Sequence, residues 1–374
     1  MTWTEFDLAC MSRALELAEQ GRGQVAPNPP VGCVLVREGR IIAEGWHDHL
    51  GDLHGEQAAI ADAESRGELT EGATAYVTLE PCNHFGRTPP CTQALLWAGV
   101  SEVVVATEDP NPTVRGQGIA VLTEAGIPVR LGCMGDAARR QMQSFMHWCE
   151  RRLPLVTLKV AMDAVGVVDA RDARPARFTS AASLDAAHRL RRNCGAIVVG
   201  VNTVIRDDPS LTVRRVELGH GTHPLRVILD RTLRIPETAK VLTDGLPTLL
   251  VHTEGDAERA RGLASDSVEV VQLPDGSGGA DLEALLAHLG DREVQELLVE
   301  GGPHVWQAFL AGGHVDRAIL IRAPMELGAG PESGITAEGL AAQRILPCGG
   351  ADWEGDSASF YTREGLEWPA QNWP

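Results

Sequence analysis

Basic residues are in short supply in this 374-residue chain: 33 Lys and Arg stand against 51 Asp and Glu, a net charge of −18. That balance excludes a non-specific nucleic-acid binder, whose affinity comes from basic patches that neutralise phosphates, and it requires local Arg or Lys clusters for any phosphorylated ligand. Long apolar runs are missing as well. No stretch of 18 or more apolar residues occurs, so a membrane span is not expected. The first dozen residues, MTWTEFDLACMS, have neither the basic start nor the apolar stretch of a secretory signal. Eight cysteines over this length are too sparse for a disulfide framework and fit a reducing cytoplasm. Low-complexity tracts and short-period repeats are absent too. What is present, 22% charged and 44% hydrophobic residues, is the mixture of a soluble globular protein. The length exceeds that at which one core usually keeps growing, so two domains are expected.

Hydrophobic periodicity predicts alternating elements. Apolar positions Leu8, Met11, Leu15 and Ala18 recur at helical spacing over 6–19, and the glycine- and proline-rich stretch 21–30 ends that pattern. Strands are expected at 31–36 and 40–46, joined as a hairpin at Gly39, and then at 73–79, 102–107 and 127–131. Helices are expected at 57–65, 92–98 and 118–125. A charged stretch at Glu150-Arg151-Arg152 precedes a fresh apolar strand at 155–161, which sets a boundary between domains 1–150 and 151–370. Further strands follow at 196–200, 225–230, 248–252, 268–273, 296–300 and 317–323, with helices between them and loose loops at 328–334. Such alternation predicts α/β sheets covered on both faces.

The densest chemistry lies in His54-Gly55-Glu56, Pro81-Cys82 and Cys91. One imidazole and two thiols suit a zinc ion with an open fourth position, where a bound water is acidified toward pKa about 7. Glu56 supplies a carboxylate that is no ligand and can move protons. His54 and Glu56 are two apart and would point to opposite sides in mid-helix, so they are placed at a helix entrance. Pro81 places Cys82 where a strand ends and a new element begins, and a helix N-terminus there would favour its thiolate. A purely structural zinc site is the competing reading. The other cysteines, Cys10, Cys33, Cys133, Cys149, Cys194 and Cys348, are expected to be small buried hydrophobes.

The pattern matches that of zinc deaminases, H-x-E followed by P-C and a second Cys, except that eight residues separate the two cysteines. With that longer insert, TLEPCNHFGRTPPC resembles the deaminase domain of the bifunctional riboflavin-biosynthesis deaminase/reductases, as do APNPPVGCVLV at 26–36 and DPNPTVRGQG at 109–118. The resemblance implies a cytidine-deaminase-like three-layer α-β-α domain. It also implies that Glu56 is the acid/base, that His54, Cys82 and Cys91 hold zinc, and that Asn28, His84, Arg87, Asp109 and Asn111 hold the pyrimidine and its ribose phosphate. The family usually has Ala where Gly55 stands, a change expected to loosen the helix entrance by about 1 kcal/mol.

In the second half, GAIVVGVNTVIRDDPSLTVR at 195–214 and LLVEGGP at 297–303 resemble the reductase half of the same family, whose fold is similar to dihydrofolate reductase. The resemblance implies an NADPH-dependent reduction of a ribosylamino group to ribityl. Ala161, Thr203 and Asp207 would touch the cofactor, and Lys159, Arg191, Leu211, Arg214 and Glu300 the phosphoribosyl substrate. Arg231 and Arg234 are candidates for the cofactor's extra phosphate, and Gly301-Gly302 for bringing backbone N–H groups to a phosphate. Departures cluster after the lysine strand. Asp163-Ala164-Val165-Gly166 stands where the family has Ser-x-Asp-Gly, and Pro175 and Arg177 replace a serine and a tryptophan. These changes are expected to weaken cofactor binding, and the alternative is a deaminase whose C-terminal half serves only as a binding or oligomerisation module. The overall expectation is a cytoplasmic homo-oligomer that acts on a small phosphoribosyl pyrimidine, with no nucleic acid or membrane partner. A deaminase acting on bases within RNA or DNA is the rival, disfavoured by charge and by the second α/β half.

Overall fold

The computed structural model describes residues 2–84, 89–112, 115–170, 178–276, 279–370 and 373–374. The chain divides into two compact units, one formed by Met1–Arg151 with Gly219–Gly221, the other by Arg152–Leu218 with Thr222–Pro374.

In the first unit, α1 (Glu5–Gln20) starts at a capping box in which Thr4 accepts from the Asp7 backbone while the Asp7 carboxylate accepts from that of Thr4. There follow β1 (Gly32–Arg37), β2 (Arg40–Trp46), α2 (Gly55–Arg66), β3 (Thr74–Val77), α3 (Cys91–Trp97), β4 (Glu102–Val105), α4 (Gln117–Glu124), β5 (Val129–Leu131), α5 (Gly135–Gln141) and α6 (Gln143–Arg151). The sheet runs β2-β1-β3-β4-β5, with the first two pairings antiparallel and the last two parallel. Strand alternation splits its core in two. Val34, Val36, Tyr76 and Val104 face the layer of α1, α5 and α6. Cys33, Leu35, Val77, Val103 and Val105 face that of α2, α3 and α4. The period-2 runs of the sequence therefore found their strands, though 73–79 shortens to Thr74–Val77 because the chain turns away before Cys82. Helices α5 and α6 were not anticipated, since polar and charged residues dominate both stretches.

The second unit continues with β6 (Leu155–Met162), α7 (Ala181–Asn193), β7 (Ala196–Gly200), α8 (Val201–Asp207), β8 (Leu225–Leu229), α9 (Lys240–Thr243), β9 (Thr248–His252), α10 (Ala257–Leu263) and β10 (Val268–Gln272). After a two-residue ladder of β11 (Asp275–Gly276) and β12 (Gly279–Ala280) come α11 (Leu282–Asp291), β13 (Glu296–Gly301), α12 (Pro303–Ala311), β14 (Arg317–Arg322), α13 (Ala337–Ala342), β15 (Ile345–Trp353) and β16 (Asp356–Arg363). Nine strands form one sheet in the order β10-β9-β8-β7-β13-β6-β14-β16-β15. The first seven are mutually parallel, and β16 and β15 add an antiparallel hairpin at one edge. That hairpin is absent from the sequence expectations, because Pro347, Gly349 and Gly350 break any period-2 signal; the register shifts at Pro347/Gly349. Two cores cover the faces: Leu158, Val160, Val198 and Val299 pack with α11 and α12, while Ile197, Val199, Ile228 and Leu298 pack with α7 and α8.

Five of the six remaining cysteines are buried as expected, but Cys348 is exposed because β15 is an edge strand. All eight are free thiols. Among the described residues no helix is long and apolar enough to cross a membrane.

Candidate active sites

In the first unit, three separate chain segments converge. His54 is the residue before α2, Cys91 is the first residue of α3, and Cys82 lies in the irregular stretch after β3. His54 Nδ1 is 3.6 Å from Cys82 Sγ and 3.4 Å from Cys91 Sγ, and the three donor atoms all lie within 4.8 Å of one another. Tetrahedral zinc with Zn–S about 2.3 Å and Zn–N about 2.05 Å separates its ligands by roughly 3.6 Å, so the donor set fits that ion. The sequence put Cys82 at the start of a new element; the helix begins instead at Cys91. Its first N–H nevertheless donates to Cys82 Sγ at 3.4 Å. The Cys91 thiol beside Cys82, outweighing burial and helped by His54, brings the Cys82 thiol down to about 4, while Cys82 and burial push Cys91 well above the ordinary thiol range.

Glu56, the second residue of α2, is buried. Burial, and then the neighbouring Cys82, raise its carboxyl to about 7, a value suited to a group that both takes and returns a proton near neutral pH. Gly55 also has a packing role. A Cβ there would stand 2.8 Å from the Val31 carbonyl oxygen, so glycine is what lets α2 approach the start of β1 this closely. His47 is a residue that motif reasoning missed. Its ring centroid is 5.1 Å from that of His54, its Nδ1 lies 2.9 Å from the Leu53 carbonyl, and its Nε2 lies 3.1 Å from Asn28 Nδ2. The run of histidines at 47, 49 and 54 was the available signal.

Of the other expected residues, Asn28 reaches this cluster through His47. His84 is exposed, and Arg87 falls outside the described residues. Asp109 Oδ1 accepts the Asn111 N–H at 2.8 Å, and burial raises its carboxyl, with Glu80 acting in the same direction and the charge of His84 against it. What fixes this loop is Glu80. Its buried carboxylate accepts four backbone N–H groups: Asp109 (3.1 Å) and Gly116 (2.9 Å) at Oε2, Gly118 (2.9 Å) and Ile119 (3.2 Å) at Oε1. Two residues before a ligand cysteine, Glu80 thereby ties the loop carrying Asp109 and Asn111 to the metal-binding stretch.

The second unit holds a cavity of about 690 Å³. It lies where the central parallel strands β7, β13 and β6 run out, the usual place for a ligand in such sheets. Ala161, Thr203 and Asp207, expected for the cofactor, and Lys159, Arg191, Leu211, Arg214 and Glu300, expected for the substrate, all line it, whereas Arg231 and Arg234 do not. Arg191 and Glu300 do not face it as independent charges. They form a buried bidentate pair, Nε–Oε1 2.6 Å and Nη2–Oε2 2.7 Å, with Lys159 Nζ 3.5 Å from Oε2. Burial alone would raise the Glu300 carboxyl, but Arg191 and Lys159 hold it well below the carboxylate range. Gly301 and Gly302 carry β13 into α12. A Cβ on Gly301 would meet the Val199 side chain at 2.5 Å, and Gly302 has φ +76°, so both glycines answer to the backbone first.

The departure at Asp163 lies outside the cavity lining. Its fully buried carboxylate accepts N–H groups of Val165 (3.0 Å), Val167 (2.8 Å) and Leu327 (2.8 Å), so it organises the turn after β6. Pro175 and Arg177 fall outside the described residues. Arg234 donates to Asn202, a lining residue, at 2.9 Å, whereas Arg231 is engaged by Glu254 and Asp275.

Comparison with known proteins covers both halves. Residues 4–107 match the family model of the cytidine and deoxycytidylate deaminase zinc-binding region, and residues 154–348 that of the RibD C-terminal domain. The chain is 42% identical over 327 residues to the riboflavin biosynthesis protein RibD of Aquifex aeolicus, spanning 87% of this chain and 89% of that one. It is 36% identical to that of Escherichia coli, over 88% and 91% of the two chains. Among solved structures, RibD of Acinetobacter baumannii superposes with a TM-score of 0.85 at 34% identity, covering 96% of this chain and 99% of the other. A diaminohydroxyphosphoribosylaminopyrimidine deaminase/5-amino-6-(5-phosphoribosylamino)uracil reductase of Thermotoga maritima gives 0.82 at 32% identity, with the same coverage.

Proposed function

The chain belongs to the RibD family of riboflavin biosynthesis proteins, and from that premise we propose that residues 1–150 carry the deaminase and 151–370 the reductase of a bifunctional enzyme. It deaminates 2,5-diamino-6-ribosylamino-4(3H)-pyrimidinone 5′-phosphate with release of ammonia, then reduces the ribosyl group of 5-amino-6-(5-phosphoribosylamino)uracil to ribityl. The single observation that carries this reading is the meeting of His54, Cys82 and Cys91 around one point with a buried carboxyl, Glu56, poised near neutral pH beside them.

His54, Cys82 and Cys91 would hold zinc, which when bound would lower the pKa of a water and so supply the nucleophile. Glu56 would serve as the acid/base, accepting a proton from the attacking water and returning protons to the ring nitrogen and the departing amine. Asn28, Asp109 and Asn111, with His84 and Arg87 from the insert, position the pyrimidine and its ribose phosphate. Burial of Glu56 excludes bulk water from the proton's path. In the reductase, NADPH supplies the hydride. Ala161, Thr203 and Asp207 orient the cofactor, and Lys159, Arg191, Leu211, Arg214 and Glu300 hold the sugar phosphate. The Arg191–Glu300 pair presets the cavity wall, leaving its remaining donors to the ligand. A C-terminal half acting only as a docking module has no support: the RibD C-terminal family match spans residues 154–348.

Free thiols throughout fit the reducing cytoplasm, and the chain is proposed to self-associate, which light scattering on the purified protein tests. The deciding experiment follows ammonia release and NADPH oxidation from the same phosphoribosyl pyrimidine, with zinc content measured in parallel. Ammonia without NADPH oxidation would reject the reductase assignment, and turnover in zinc-free protein would reject the metal site.

A further inference from the structure

Most of the cations lining the cavity of the second unit already face acceptors. Arg191 and Lys159 meet Glu300. Arg206 binds Asp169 at 2.9 Å and the Ala170 carbonyl, and Arg215 binds Asp185 at 2.5 Å. An arriving dianion would find few of their N–H groups unspent.

His188 differs from these. It sits on α7, one turn before Arg191, is 4% exposed, and lines the same cavity. Its Nδ1 accepts the backbone N–H of Arg214 at 3.0 Å, so the single proton of the neutral ring belongs on Nε2. Among the described residues Nε2 has no partner, yet it is not one of the buried unpartnered atoms. An accessible nitrogen on a ring this buried opens onto the cavity.

We propose that His188 is a binding residue for the phosphate monoester of the reductase's sugar substrate, donating its Nε2–H to a phosphate oxygen beside Arg214. The inference rests on the reductase reading above. Burial first, then the charges of Arg191 and Arg214, depress the His188 pKa to about 4, so at neutral pH the ring is an uncharged donor whose hydrogen bond needs no protonation step. Choice of the substrate's phosphate over the cofactor's follows from the anchor. The N–H that fixes the ring belongs to Arg214, a matched substrate position, whereas the matched cofactor positions Thr203 and Asp207 belong to α8.

The test uses the full zinc-loaded chain with His188→Leu, which removes both hydrogen bonds, and His188→Gln, whose amide can accept from Arg214 and donate to the ligand. A hydrogen bond to a charged group predicts a rise of about tenfold or more in KM for the phosphorylated substrate in His188→Leu, with kcat and the KM for NADPH little changed. His188→Gln recovers most of that loss, and the dephosphorylated substrate is turned over equally by wild type and both variants. Unchanged kcat and an unchanged KM for NADPH report that the second unit is folded in the variants, and unchanged ammonia release reports the same of the first. An equal loss on phosphorylated and dephosphorylated substrates would overturn the proposal in favour of a packing role, and a rise confined to the KM for NADPH would assign the contact to the cofactor. If the wild type oxidises no NADPH, the reductase reading itself fails. Calorimetric titration with ribose 5-phosphate then decides about His188: binding weakened in His188→Leu supports the anion contact, and equal or no binding overturns it.

Discussion

The two sites are built on opposite plans. In the first unit the three side chains that could hold a metal come from 38 consecutive positions, His54 to Cys91, and meet at helix starts and an irregular loop. In the second, the cavity draws residues from Lys159 to Pro331, many of them delivered by the ends of a parallel sheet, and its charges are largely paired with one another. Ligands bind an ion through their own atoms, so removing one should abolish one activity. A wall of mutually satisfied charges is a folding device as much as a binding one, and damage there should show first as lost stability.

The largest effect that would break this contrast is at Cys91. Cys91→Ser should lose bound zinc and essentially all ammonia release while NADPH oxidation on pre-formed aminouracil substrate persists; loss of both activities together would show that the metal also supports the second unit. Glu56→Gln should be next. Its zinc content stays at the wild-type level, and kcat for deamination falls by about 10²- to 10⁴-fold, as read in a metal assay and a steady-state assay on the same sample. In the second unit, Glu300→Gln leaves Arg191 buried without its countercharge, a loss of about 3–5 kcal/mol. Urea unfolding followed by fluorescence and by both activities should place that loss in the reductase, with deamination surviving to higher denaturant.

Those outcomes bear on what was legible beforehand. His54, Glu56, Cys82 and Cys91 could be read because each residue type has a distinct chemical task and the spacing is short. Glu80 could not: nothing in a string of letters says that one carboxylate will collect four backbone N–H groups from a loop some 30 residues on. The pairing of Arg191 with Glu300 was hidden for the same reason, since both were expected to meet a ligand and neither was expected to meet the other. At Gly55 propensity could be read but packing could not: the Val31 carbonyl stands 2.8 Å from where a Cβ would sit, a close approach that no local pattern announces. Strands that are short apolar runs bounded by turn residues, such as β7 and β9, were found to the residue, as was the hairpin strand β2. The polar helices α5 and α6 and the hairpin β15–β16 were not, because their burial is set by distant partners.

The smallest effect sharpens the comparison through pH. His188 has its pKa lowered from an ordinary value near 6.5 to about 4. The unfolded chain therefore binds a proton between those values that the folded chain does not, and stability must rise with pH across that window. Scanning calorimetry from pH 4 to 7 should show the reductase transition weakening as pH falls below 6.5, and His188→Gln should flatten that slope while leaving the deaminase transition unchanged. An identical slope in the variant would assign the proton elsewhere.

One edge of the nine-stranded sheet has a consequence for assembly. Strand β15 leaves a flank open to solvent, the sort of surface on which a second chain can lay another strand. Pro347 brings no N–H to that flank, and the irregularity beside Gly349 interrupts its repeat. Continuous sheet growth through this flank is thereby discouraged, which makes β15 a poor place for two copies of the protein to zip their backbones together.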